Sequence, residues 1–152
     1  MKEVLLNGIW VGAVRERAVQ TRTDGISELL DRLGAAFGIR DVVSALGCFV
    51  PDDDITYVGP EHGESATGRI LVGALLARVF ARPEAYSWRI RQSAVHLYAD
   101  CAYVMAEADG QVATDNAEPV RFKYRISGVL ESGVDGWRLR LCHGCEPTPP
   151  CD

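Results

Sequence analysis

The sequence has no strongly basic tract, no long apolar run and no complete set of paired cysteines. Each absence removes a class of function. Lys and Arg total 16 against 21 Asp and Glu, for a net charge of −5. A nucleic-acid-binding face needs clustered Lys and Arg. Only RFKYR, residues 121–125, comes near one, so no nucleic-acid partner is expected. No run reaches the roughly 18 apolar residues of a membrane helix, so no membrane partner is expected. The opening MKEVLLNGIWVGAV has a Lys and then an apolar stretch. Asn7 and Gly8 break that stretch, RER follows, and no small-x-small cleavage pattern appears. The expected location is the cytoplasm, where thiols stay reduced. An odd number of cysteines, five, also argues against a complete disulfide framework. Internal repeats, low-complexity segments and linkers are missing as well.

What is present fits one globular domain. A chain of 152 residues can bury about two-thirds of its unfolded surface. Its 47% hydrophobic and 24% charged content is ordinary for such a domain. Residues 4–19 can form a helix, weakened by Gly8 and Gly12. Thr23 or Asp24 can cap a second helix. Its members Ile26, Leu29, Leu30, Leu33 and Phe37 recur at helical spacing and mark one buried stripe. IRDVVSALGCF reads as a short third helix, ITYVG as a strand, and PEHGES as a loop or a very short hairpin arm. Thr67 is placed to cap a helix from about Arg69 to Ala81, with Ile70, Leu71, Ala74, Leu75, Val79 and Phe80 on its buried side. Pro83 stops that helix.

The apolar period then changes from 3.6 to 2. YSWRIRQSAVHLY, CAYVMAEA, PVRFKYRISGVLE and GWRLRLCHG read as four strands, with ADGQ and SGVDG as turn signals. Helices followed by a run of antiparallel strands make an α+β pattern. Trp137, Leu139, Ile126, Tyr124, Leu75 and Phe37 are the expected core.

Four pieces in this order carry a family resemblance: FVPDDDITYVG, EHGESATGR, YRISGV and DGWRLRLCHGCEP. With them the chain resembles the nuclear transport factor 2-like superfamily in its SnoaL-like branch, over about residues 24–147. The same pieces look like the association domain of calmodulin-dependent kinases. The resemblance implies a cystatin-like cone, with N-terminal helices packed in a strongly bent, mostly antiparallel sheet. It also implies an internal pocket and a homodimer formed through the outer sheet face. The expected division is an extra helix over 1–22, the cone over 23–147 and a loose tail over 148–152.

The resemblance does not fix a reaction, because one fold hosts many functions. Two readings follow: binding of a small, partly apolar ligand in the cone, or proton-transfer chemistry of the cyclase, isomerase or dehydratase type. In the steroid-isomerase branch a Tyr and an Asp act as donor and base, and Leu33 and Val58 hold those places here. No complete catalytic set and no cofactor are therefore expected. The pocket candidates are Glu64, Arg125, His143, Trp88, Tyr103 and Tyr57. Glu64 and Arg125 could orient a carboxylate or carbonyl, because guanidinium binds planar oxygens bidentately, or could form a structural ion pair. His143 could equally be a hydrogen-bonded core residue, and Trp88 and Tyr103 plain packing.

The closing CHGCEPTPPC places three cysteines and a histidine in ten residues. Residues three apart on a strand point to opposite faces, and a structural zinc site usually shows two such pairs. No metal is expected, and Cys145 reads as a small side chain near the pocket or the dimer seam. A metal or redox role for Cys142, His143, Cys145 and Cys151 is the competing reading.

Overall fold

Helical spacing in the first described segment produces the element that fills the concave side of the sheet. The computed structural model describes residues 23–151, so the extra helix expected over 1–22 lies outside the described residues. Helix α1, residues 23–38, buries Ile26, Leu29, Leu30, Leu33 and Phe37. A short α2, Val42–Leu46, starts at Asp41, whose carboxylate accepts the Ser44 backbone N–H at 3.1 Å. This bond satisfies one of the helix's free donors. Then come β1 (Thr56–Val58), β2 (Ser65–Thr67), α3 (Arg69–Phe80), β3 (Ala85–Tyr98), β4 (Cys101–Ala113), β5 (Val120–Gly133) and β6 (Gly136–Cys145).

The six strands form one sheet in the order β2-β1-β6-β5-β4-β3. Every pairing is antiparallel except β1 with β6. Two register shifts interrupt the ladder. One lies between Ile90 and Gln92 in β3, with Arg91 as the extra residue. The other leaves Arg140 of β6 unpaired between Leu139 and Leu141. A bulge bends and further twists a strand, and it reverses which face later side chains occupy. In β6, Trp137 and Leu139 point inward before the bulge, and Cys142 and Gly144 after it. The result is a curled α+β sheet around one apolar core, which contains all six expected core residues.

Three local expectations are corrected. Gly68, not Thr67, precedes α3; Thr67 pairs with Thr56 in the β1–β2 hairpin, their hydroxyls 2.9 Å apart. The buried side of α3 is Val72, Leu75, Leu76, Val79 and Phe80, while Ile70 and Leu71 are 84% and 62% exposed and Ala74 is also exposed. ILVGALLARVF is apolar almost all round, so spacing alone did not select its inner face. ADGQ is not a turn: β4 runs through it. Asp109 pairs across to Lys123 at 2.7 Å, and Gly110 lies under the Phe122 ring, where a Cβ would collide.

Candidate functional site

A cavity of about 380 Å³ opens between α1, the end of α3, the β1–β2 loop and the inner faces of β3, β5 and β6. Alternation on the strands supplies its walls. Tyr86 and Trp88 come from β3, Phe122 and Tyr124 from β5, and Tyr57 from β1. Phe37 from α1 closes the inner end. The rings touch in series. Tyr86 meets Phe122 at 6.2 Å and 78°, Phe122 meets Tyr124 at 5.7 Å and 80°, and Tyr124 meets Trp88 at 5.2 Å. Trp88 is fixed from behind: its indole N–H donates to the Leu30 carbonyl at 3.1 Å. Gly34 permits that approach, since a Cβ there would sit 2.6 Å from the Trp88 carbonyl oxygen.

Polar groups converge at one side. Glu64 is 5% exposed. Its loop is closed by Gly59 N–H donating to the Glu64 carbonyl at 2.7 Å and by Glu64 N–H donating to Glu61 at 3.1 Å. Gly59 lies so close to the Glu64 carboxylate that a Cβ there would displace the carboxylate from its place. Arg82, just past α3, places Nη1 2.9 Å from Glu61 and 3.1 Å from Glu64. This is how a buried carboxylate is accommodated, since an unpaired one would be costly. Cys145 and Glu146 complete the rim.

Burial pushes the Tyr57 phenol well above its ordinary value, and Tyr124, Cys142 and Glu64 add in the same direction. Burial does the same to Tyr124, reinforced by Cys142 and Glu64. Both phenols therefore keep their protons; a hydrogen bond joins their side chains, so one O–H is spent between them and one is left to donate to a bound oxygen or nitrogen. The arrangement offers one buried carboxylate, a hydrogen-bonded pair of phenols and a wall of rings.

The six candidate residues divide evenly. Glu64, Trp88 and Tyr57 line the cavity. Arg125, His143 and Tyr103 do not, and their expected inward placement is corrected. Arg125 faces outward between the buried Tyr124 and Ile126, and its Nε lies 2.8 Å from Glu107. Tyr103 lies outward between Ala102 and Val104, stacked on His96 at 4.6 Å. His143 is exposed because the Arg140 bulge reverses the phase of β6. Neither form of the Glu64–Arg125 pairing holds, since Glu64 meets Arg82 instead. Sequence reading missed Arg82, Tyr86 and Phe122. Alternation from Trp88 and Tyr124 could have found the two rings. Arg82 had no comparable sequence signal.

The terminal cysteines diverge. Cys142 is buried and its thiol is pushed up to about 12 by burial, with Cys48 nearby adding to the shift. Cys145 lies at the rim, and Cys151 is exposed. Among the described residues no three His, Cys, Asp or Glu side chains are grouped to hold a metal. None of the described helices is long and apolar enough to cross a membrane.

The family profile for the SnoaL-like domain matches residues 26–148. The chain belongs to the SnoaL-like domain family. Solved structures share the fold of this SnoaL-like chain. One is a candidate dehydratase of the nuclear transport factor 2-like family from Streptomyces avermitilis. It is 17% identical with a TM-score of 0.72, and the match covers 86% of this chain and 99% of that one. A nuclear transport factor 2-like protein with a cystatin-like fold from Novosphingobium aromaticivorans is 17% identical with a TM-score of 0.68, covering 91% and 89%. A candidate calcium/calmodulin-dependent protein kinase type II association domain from Thiobacillus denitrificans is 22% identical with a TM-score of 0.61, covering 79% and 93%. At these identities the likeness is one of fold. A search of curated proteins gives no match.

Proposed function

We propose that this SnoaL-like protein binds a small, partly apolar molecule inside the cone. The observation that carries the reading is a cavity of about 380 Å³ whose walls are aromatic and whose polar groups are gathered around one buried carboxylate, Glu64. Ligand sites typically have this size and this mixture of apolar wall and few convergent polar groups. A thermal-shift screen of small aromatic and alicyclic metabolites tests it, with Tyr86→Leu as the comparison because Tyr86 is only half-buried. Compounds that raise the Tm of the parent protein should lose most of that shift in the variant. Shifts of equal size in both proteins would place binding elsewhere.

A proton-transfer enzyme is the second reading. It is favoured by Glu64 sharing one cavity with the Tyr57 and Tyr124 phenols, and the similar Streptomyces structure is a candidate dehydratase. Ion pairing to Arg82 at 3.1 Å weighs against Glu64 as a free base, so ligand binding without assured catalysis is preferred. The outer sheet face, with Tyr103 53% and Met105 52% exposed, is the surface we assign to a homodimer. Light scattering of Tyr103→Arg/Met105→Arg should then show half the mass of the parent protein. Five free thiols fit a reducing compartment such as the cytoplasm.

A further inference from the structure

The charge at the cavity is unbalanced in one direction. Glu61, Glu64 and Glu146 line it, and Arg82 is the single cation among its lining residues. Three carboxylates against one guanidinium leave two negative charges in excess. Arg82 is also already engaged, with one nitrogen within 3.1 Å of both Glu61 and Glu64. An anionic ligand would have to compete with two fixed carboxylates for that guanidinium and would meet Glu146 at the rim.

The walls favour the opposite charge. Tyr86, Phe122 and Tyr124 meet successively at 78° and 80°, so the cavity is bounded by rings set at steep angles to one another. Ring faces are negative and attract an ammonium group placed over them, more strongly when water is excluded. The carboxylate field reaches these rings. Burial is the first cause of the raised Tyr86 phenol, and Glu61 and Glu84 follow it. At Tyr124, Glu64 and Glu146 contribute after burial and Cys142.

We infer that the ligand of this cavity is a cation: an amine, primary or quaternary, carried on an apolar body. The inference rests on the pocket reading given above and narrows it. The apolar body occupies the inner end against Trp88 and Phe37, and the ammonium group lies toward Glu61, Glu146 and the Tyr86–Phe122 wall.

Three probes with one body and different heads separate the possibilities: 3-phenylpropylamine, 3-phenylpropanol and 3-phenylpropanoate. They are titrated into the whole protein by calorimetry at pH 7 in low salt. The amine should bind at least about tenfold more tightly than the alcohol, and the carboxylate most weakly. Glu146→Gln, a change at an exposed rim position, should reduce the amine's lead severalfold while leaving the alcohol unchanged. Added salt should narrow the lead as well, since rim charges are screened. Equal or tighter binding of the alcohol or the carboxylate would overturn cation selection and leave the pocket reading standing. An amine lead unchanged in Glu146→Gln would also overturn it, because rim charge would then not be its source. Failure of all three probes to bind at millimolar concentration would remove both readings together.

Discussion

Strands β4 and β5 carry two different surfaces on one backbone. Inward, Ala102, Val104, Ala106, Ala108, Tyr124, Ile126 and Leu130 are at most 5% exposed. Outward, on the same strands, stand Tyr103, Met105 and Val129, with the pairs Glu107–Arg125 and Asp109–Lys123. Large side chains occur on both faces, so residue type does not distinguish them. Position does. Tyr124, directed inward, is 5% exposed and packs on Trp88 and Phe122 in the cavity wall, whereas Tyr103, directed outward, is 53% exposed and stacks on His96. The same substitution should therefore have very different costs on the two faces.

The largest contrast is expected between two aromatic truncations. Trp88→Ala removes a ring packed on Phe37 and Tyr124 and the hydrogen bond to Leu30. Phe or Trp to Ala in a core costs about 3–5 kcal/mol. Tyr103→Ala removes a half-exposed ring stacked on His96, and surface changes of this kind stay within about 0.5 kcal/mol. Urea unfolding of the two variants at low protein concentration checks the difference. Equal losses would mean that the faces are not what burial says they are.

A second contrast appears on raising pH. Burial holds the Cys142 thiol at about 12 in the folded chain, against about 8.5 for a free thiol. Below 8.5 both states keep the proton, and nothing is lost. Above it the unfolded chain gives up a proton that the folded chain retains, so stability falls by about 1.4 kcal/mol per pH unit. Cys48, raised chiefly by burial, and Tyr57, likewise raised, act in the same direction. Urea midpoints at pH 8 and pH 10.5 should drop steeply in the parent protein and less so in Cys142→Ala. An identical slope in both would show that Cys142 ionises as freely folded as unfolded. The outward Cys101 and Cys151, both exposed, should meanwhile react quickly with a thiol reagent under conditions that leave Cys48 and Cys142 untouched.

These contrasts also explain what could be read from the sequence. The regular apolar spacing of Ile26 to Phe37 and the alternation of β3 to β6 mark the elements and most of the core, because each reports one buried face directly. The site was less legible. Tyr124 and Ile126 inward already force Arg125 outward on a continuous strand, so simple alternation excludes Arg125 from the cavity, although the family resemblance placed it there. His143 is a different case. RLRLCHG alternates without any visible break, and only the pairing register shows Arg140 set out of phase to reach Asp52 at 2.5 Å and Glu131 at 2.7 Å. Arg82 reaches Glu64 across 18 positions of sequence through the fold of α3, a contact that no local pattern encodes.

Between these extremes lies the Arg82–Glu64 pair at the cavity, whose carboxylate is buried and whose guanidinium is 31% exposed. Glu64→Gln keeps the shape of the side chain but removes its charge beside Arg82. Arg82 keeps Glu61 as a partner at 2.9 Å, so the loss is limited to about 1–3 kcal/mol, the usual cost of spoiling a buried charge-assisted hydrogen bond. Chemical denaturation checks that figure. A loss near zero would mean that Arg82 draws its support from Glu61 alone.

The smallest effect is expected at Arg125, and that smallness is the sharpest test of the two-face description. Its guanidinium and the Glu107 carboxylate are 49% and 37% exposed, 2.8 Å apart across neighbouring strands. Attraction between exposed charges is offset by solvation and by the entropy of holding two long side chains, so such a pair contributes about 0.2–1 kcal/mol. Arg125→Ala should lower stability by no more than that, with the loss shrinking further in salt. It should also leave untouched any thermal shift produced by a ligand in the cavity, because its side chain lies on the other side of the sheet. Glu64→Gln should change that shift. If Arg125→Ala abolished the ligand shift while stability stayed intact, the binding site would have to lie on the outer face, and the division between the two surfaces would fail at its clearest point.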